Sequence, residues 1–324
     1  MLDKFRNIFL VVVLGLFLSG CSKEDKIEPL SQDQISLIKN LPYSTQFLLY
    51  VNSGELREKG YNNTDISNTT SFGKISNIFN AIQEGSGISV NENLAEFFVA
   101  NSWEQKDCII LAFNNNEDKV LNYLKNKKSF SSFKAANKII YKGKKELNNQ
   151  YYYFINENTL LIADDSSFIF NKVKNKEKNL YDNQNFVEII NGIKYKKHYW
   201  TASNQGQFLS LIMYQFLSTR KANYIKDFAK NIDNISICAF FNKEIAIHSS
   251  LGCRDAKTSF LLTNAVRSAI SMDLFAQNNP ELGPIFDKIE VERTGKKVNF
   301  NLELQQKELQ EIKNYINKKK PEKK

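Results

Sequence analysis

Gln150-Tyr151-Tyr152-Tyr153-Phe154-Ile155, Asn156-Glu157-Asn158, Thr159-Leu160-Leu161-Ile162-Ala163 and Asp164-Asp165-Ser166-Ser167 follow one another without a break. Aromatic and β-branched residues crowd the first and third groups, and three turn formers separate them. The run therefore reads as a β-hairpin. The acids and serines that follow are the residue types that cap a helix. Their side-chain oxygens accept from N–H groups that the first helical turn leaves without partners. Phe168, Ile169 and Val173 then sit at positions a helix can bury. A hairpin that hands over to a capped helix predicts an α+β fold with mainly antiparallel sheets and packed helices.

Upstream, Thr45–Val51 is a β-rich apolar run, and Glu55–Lys59 starts a helical turn. Ile75, Ile78, Phe79 and Ile82 have helical spacing, closed by Gly85-Ser86-Gly87. Phe97–Ala100, Cys108–Phe113 and Lys138–Tyr141 read as strands, and Asp118–Leu124 as a helix. Downstream, Phe186–Ile193 is a short helix and His198–Ala202 a strand. Phe208, Leu211, Ile212 and Phe216 line one helix face. Ile235–Phe241 and Glu244–Leu251 form a hairpin about Asn242-Lys243, a register that sets Cys238 opposite Ile247. Asp255 opens a helix running to about Gln277, with Leu262, Val266, Ala269 and Ile270 inward. Ile289–Arg293 and Val298–Leu304 make a last hairpin, and Glu308–Ile316 a terminal helix. The order strand, helix, hairpin, helix thus occurs twice, over residues 41–181 and 196–316. Two similar halves are expected, followed by a basic tail over 317–324.

The N-terminus has a different composition. Lys4 and Arg6 precede eleven nearly wholly apolar residues, Ile8–Leu18. A spanning helix needs about 20 residues, so this run fits a secretory signal peptide instead. Leu18-Ser19-Gly20-Cys21 resembles the lipobox of bacterial prolipoproteins. The resemblance implies removal of residues 1–20, a diacylglyceryl thioether on Cys21 and tethering to a membrane by lipid. Ser22 in place of Asp after the cysteine is similar to outer-membrane sorting, and Lys23-Glu24-Asp25 resembles a surface-export signal. Residues 21–40 are polar and charged and read as a lipidated tether, with a short helical stretch around Ile35 and Ile38. Leu41-Pro42 through Val51-Asn52, and the closing Asn279-Pro280-Glu281-Leu282, resemble uncharacterised bacterial lipoproteins. That pattern carries over no catalytic or binding residue.

Without the leader the net charge falls from +9 to +8, because Lys4, Arg6 and Asp3 leave with it. Lys and Asn are frequent throughout, and bases alternate with acids, so a basic balance alone does not point to nucleic acid. Export places the body outside the compartment where nucleic acid would be met. Cys108, Cys238 and Cys253 remain after Cys21. Across the hairpin, Cys253 stands roughly 20 Å along the strand from the residue facing Cys238, too far for a disulfide.

The chemistry is sparse. Gly-x-Ser-x-Gly, phosphate-loop, HExxH and CxxC motifs do not occur, and no cofactor or metal is implied. His198 and His248 are the two histidines, and neither has an Asp, Cys or second His at workable spacing. His248 alternates with Ile245 and Ile247 and should face solvent. Asp164-Asp165 resembles a carboxylate pair but sits where acids cap a helix. Tyr151, Tyr153, Tyr199 and Trp200 stand near lysines and form a candidate patch for a glycan or protein. The alternative is burial of both strand faces between sheet and helices. The expectation is a non-enzymatic binding or structural lipoprotein at the outer membrane, on its periplasmic or external face. An apolar-ligand carrier is the second reading and a hydrolase the third.

Overall fold

The computed structural model describes residues 27–61, 73–102, 106–115, 117–126, 128–144, 147, 149–174, 178–208, 229–271, 283–309 and 311. The leader, Cys21, Lys23, Glu24, Asp25, the helix face of Leu211, Ile212 and Phe216, and the basic tail lie outside the described residues. The chain divides into two compact units, residues 30–187 and residues 1–29 with 188–324.

The first unit is a seven-stranded antiparallel sheet. Its strands are β1 (Phe47–Asn52), β2 (Leu94–Ser102), β3 (Lys106–Phe113), β4 (Phe130–Ala135), β5 (Lys138–Gly143), β6 (Tyr151–Asn156) and β7 (Thr159–Ala163). They lie in the order β1-β2-β3-β7-β6-β5-β4. Cys108, Ile109, Ile110 and Leu111 are consecutive in β3 and all buried, so both faces of the centre are covered. On one face pack α3 (Gly73–Ser86) and α5 (Glu117–Leu124). Phe79 meets Phe97 edge-on at 5.6 Å, and Phe130 stands between Tyr123 and Tyr152 in two more edge contacts. A Cβ on Gly85 would overlap the Tyr123 ring, so glycine is what lets these helices approach closely. On the other face α6 (Ser166–Val173) buries Phe168 and Ile169. α2 (Ser53–Glu58) and α4 (Val90–Asn93) fill the connection between β1 and β2. α7 (Gln184–Asn191) follows the short 3-10 turn at Leu180–Asp182.

Residues 21–40 are not all tether. Gln32–Ile38 form a helix, α1, closed by a capping box between Ser31 and Gln34. Ile38 is fully buried and Gln34 and Leu37 nearly so, so the folded body starts well before Leu41. Strand β4 also escapes the sequence reading. Phe130-Ser-Ser-Phe-Lys-Ala lacks apolar alternation because it is the edge strand, with both serines and Lys134 exposed. Its turn to β5 uses Ala136 and Asn137, both at positive φ.

The second unit has strands β8 (Tyr199–Ser203), β9 (Ile232–Phe241), β10 (Glu244–Cys253), β11 (Glu290–Thr294) and β12 (Lys297–Gln305) in the order β11-β12-β10-β9-β8. β10 and β12 alternate buried with less buried positions, the pattern of a sheet with one covered face. α8 (Ala256–Ser271) packs on β10, β12 and β11, and the short α9 (Gly283–Phe286) precedes β11. The face of α8 toward the sheet is more polar than expected: Ser259 and Thr263 are buried beside Val266. Ser259 Oγ donates to the Ala256 and Gly295 carbonyls, which ties the helix to the β11–β12 turn. Leu262 and Ile270 are only half-buried, while Phe260 and Leu261 are 51% and 54% exposed. In the β9–β10 hairpin Phe241 pairs with Ile245, one residue beyond a two-residue turn at Asn242-Lys243. Cys238 therefore opposes His248 and not Ile247. Cys108, Cys238 and Cys253 are all free and buried.

The two sheets share a strand order. In each, the first strand lies beside the second, the second beside the third, the third beside the last, and the last beside the one before it. These are β1-β2-β3-β7-β6 and β8-β9-β10-β12-β11, with β5 and β4 added outside β6 in the first unit.

Candidate functional site

A small cleft of about 80 Å³ opens at one end of the first unit's sheet. It forms where the end of β2, the start of β3 and the end of β7 meet the N-terminus of α6. Asn101, Lys106, Asp107, Cys108, Asp165 and Phe168 contribute to its lining. The Asn101 side-chain amide bonds the Asp107 carboxylate. The Asp107 backbone N–H donates to Asp164 Oδ2 at 3.1 Å, and Gln150 Nε2 donates to Asp164 Oδ1 at 3.0 Å. Asp165 caps α6: its Oδ1 accepts from the Ser167 N–H and hydroxyl at 2.8 and 2.7 Å. Lys106 Nζ lies 3.2 Å from Asp165 Oδ2. The two adjacent acids thus have separate tasks. Asp165 caps the helix, while Asp164 joins β3 to the segment before β6.

Electrostatics at this cleft favour holding structure. Burial acts to raise the Asp165 carboxyl, but the Ser167 hydrogen bonds and Lys106 outweigh it and hold the group below the usual carboxylate range. Burial pushes the Cys108 thiol well up, and the acids Asp164 and Asp107 push the same way. A thiol in that state is a poor nucleophile. The volume suits a few waters and lies far below the ~300 Å³ at which small-molecule pockets begin. Among the described residues no group of three His, Cys, Asp or Glu could hold a metal ion.

The histidines sit apart in role. His198 is fully buried, and its Nδ1 accepts the Phe241 N–H at 2.9 Å while its ring lies 4.7 Å from Phe240. His248 is half-buried and bonds Asn301 on the neighbouring strand. Neither is aimed into the cleft described above. The expected aromatic patch is not on the surface. Tyr153 and Tyr199 are buried, Trp200 is 0% exposed, and Tyr151 alone is half-exposed. Both faces of β6 and β8 are used for packing, so strand alternation leaves no outer aromatic side. Burial also pushes the Tyr199 phenol up.

A site that residue types did not signal lies in the second unit. Lys196 is 2% exposed. Its Nζ donates to the carbonyls of Glu28 (2.7 Å), Asn191 (3.2 Å) and Ile193. The Glu28 carboxylate in turn accepts the N–H groups of Lys196 (2.6 Å) and Lys197 (3.2 Å), and the Glu28 N–H donates to the Lys194 carbonyl (3.0 Å). This network stitches residues 27–29 to the segment before β8. Burial lowers the Lys196 amine to about 8, against the opposing influence of Cys238 and Glu28. The one sequence signal was alternation: Lys196 and His198 point inward while Lys197 points out, as in an extended run.

Among the described residues no helix is long and apolar enough to cross a membrane. No protein-family model and no curated protein matches the chain. Two solved structures, both crystal forms of TP0453, resemble it in fold. Form I superposes with a TM-score of 0.50 at 7% identity, over 90% of this chain and 99% of that one. Form IV gives 0.47 at 7% identity, over 90% and 96%. At that identity the first likeness speaks for the fold alone.

Proposed function

We propose that this chain is a lipid-anchored protein of the bacterial cell envelope, held by acyl chains on Cys21 at the outer membrane, and that it works by binding or scaffolding without catalysis. The observation that carries the reading is Leu18-Ser19-Gly20-Cys21, whose leucine ends an eleven-residue apolar run, Ile8–Leu18. Two or more acyl chains anchor stably, because each buried CH₂ contributes about 0.8 kcal/mol. The structural hydrogen bonds of Asp164 and Asp165 at the cleft, its raised thiol and the structural use of both histidines support a non-catalytic role. Lys23-Glu24-Asp25 supports display on the outer face.

Protease shaving of intact cells tests the placement. Wild type is compared with the Lys23→Ala/Glu24→Ala/Asp25→Ala variant, and the C-terminal part is detected. Loss of wild-type signal with protection of the variant is the expected result. Protection of both, with degradation after lysis, would put the body in the periplasm and remove surface display from the account.

A further inference from the structure

We infer that the end of the second unit's sheet carrying the β9–β10 turn lies against the lipid surface to which the chain is tethered, with the β11–β12 turn directed away from it. This rests on lipidation at Cys21 as proposed above. The argument is one of reach. Free chain ends at Glu28. Four hydrogen bonds join Glu28 to Lys194, Lys196 and Lys197, and two more hold the Lys196 amine on the Asn191 and Ile193 carbonyls. Cys21 to Glu28 is seven peptide steps, at most about 25 Å when fully extended. The attachment point is thus fixed on the body and held close to the acyl chains.

The fold then says which end that is. Tyr195 lies 5.6 Å from Phe240, and His198 accepts from Phe241, so the clamp sits at the β9–β10 end of the sheet. At the far end Gly252 pairs with Lys297, and Cys253 donates to the Lys296 carbonyl. From Glu244 to Gly252 the strand β10 runs about 27 Å, comparable with the whole reach of the tether. The near end also has the right surface. Ile27 is 52% exposed, Tyr195 and Phe240 are half-buried aromatics, and Lys194 covers the Tyr195 ring at 5.1 Å. Amphipathic aromatics and long cations of this kind suit a headgroup layer. Lys197 and Lys243 are exposed there too, but Glu244 follows Lys243 directly and Glu290 lies near Lys194. Orientation is therefore set by the tether, and charge is secondary.

The test uses the lipidated full chain in vesicles of phosphatidylcholine, with and without phosphatidylglycerol, carrying a headgroup-linked quencher. Single cysteines are introduced by Lys243→Cys or Lys296→Cys and labelled with a fluorophore. Cys108, Cys238 and Cys253 are buried and should stay unlabelled. Flotation with the vesicles is scored first. Floating protein quenched several-fold more at 243 than at 296, in both lipid mixtures, is the expected result. A flexible twelve-residue insertion after Asp25 leaves the body intact and should abolish the contrast. Equal quenching at the two positions, or stronger quenching at 296, in protein that floats overturns the orientation and leaves the lipid anchor standing. Failure to float, with an unmodified Cys21, overturns both.

Discussion

Replacing Lys196 by Met should cost stability by an amount that grows with pH. At pH 7 the substitution removes three bonds donated by an ammonium group to the carbonyls of Glu28, Asn191 and Ile193. Bonds to charged groups contribute about 1.5–3 kcal/mol each. The same substitution also removes the several kcal/mol it costs to bury a charge, so the net loss at pH 7 is small, about 1–2 kcal/mol. The amine ordinarily titrates at 10.5 and is lowered to about 8 by burial, with Cys238 and Glu28 opposing. Between those values the unfolded chain holds the proton and the folded chain does not. Stability of the wild type therefore rises as pH goes from about 8 to 10.5, by about 3 kcal/mol. Lys196→Met lacks this gain. Urea unfolding followed by tryptophan fluorescence, to which buried Trp200 contributes, measures both proteins at pH 7 and 10.5, and tyrosine titration is common to the pair and cancels. The difference between them should widen by about 3 kcal/mol. A difference that is constant or narrows with pH would refute the burial of a titrating amine at this site.

Three further outcomes follow from packing. Trp200→Ala removes the largest fully buried side chain among the described residues and should lower stability by about 3–5 kcal/mol in a urea melt; a loss under about 1 kcal/mol would mean the indole is not in the core. Asp165→Ala should cost about 1 kcal/mol through loss of the α6 cap. Because that carboxyl is lowered when folded, its contribution is present above its unfolded value near 4 and lost as pH falls through the lower folded value; the gap between wild type and variant seen in melts at pH 7 should therefore narrow as pH is taken below about 4. Gly206→Ala places a Cβ against the carbonyls of Ala229 and Ile232, and should cost about 2 kcal/mol or more by thermal melt.

Much of the fold was legible because its signals are local. The hairpin from Tyr151 to Ala163 and the Asp165 cap could be read from turn formers and capping residues alone. What escaped reading was set by tertiary context. Edge strand β4 shows no alternation because little covers it. The α8 face was misjudged because Ser259 and Thr263 can be buried once their hydroxyls find backbone carbonyls. The one-residue offset opposite Cys238 arises in the loop at Asn242–Glu244, where the Asn242 N–H closes on the Glu244 carbonyl. The candidate patch failed for a related reason: aromatic strands read alike whether one face or both are covered, and here helices pack on Tyr153's sheet while Trp200 is enclosed. The Glu28–Lys196 clamp joins residues 168 positions apart, a pairing that no periodicity encodes.

The most direct test of the central claim is the intact mass of the mature protein from membranes, compared with a Cys21→Ser variant. The account predicts a chain beginning at Cys21 and carrying a diacylglyceryl group, and a variant that lacks the lipid and leaves the membrane fraction. A mature N-terminus elsewhere, or an unmodified Cys21 in membrane-bound wild type, would contradict it.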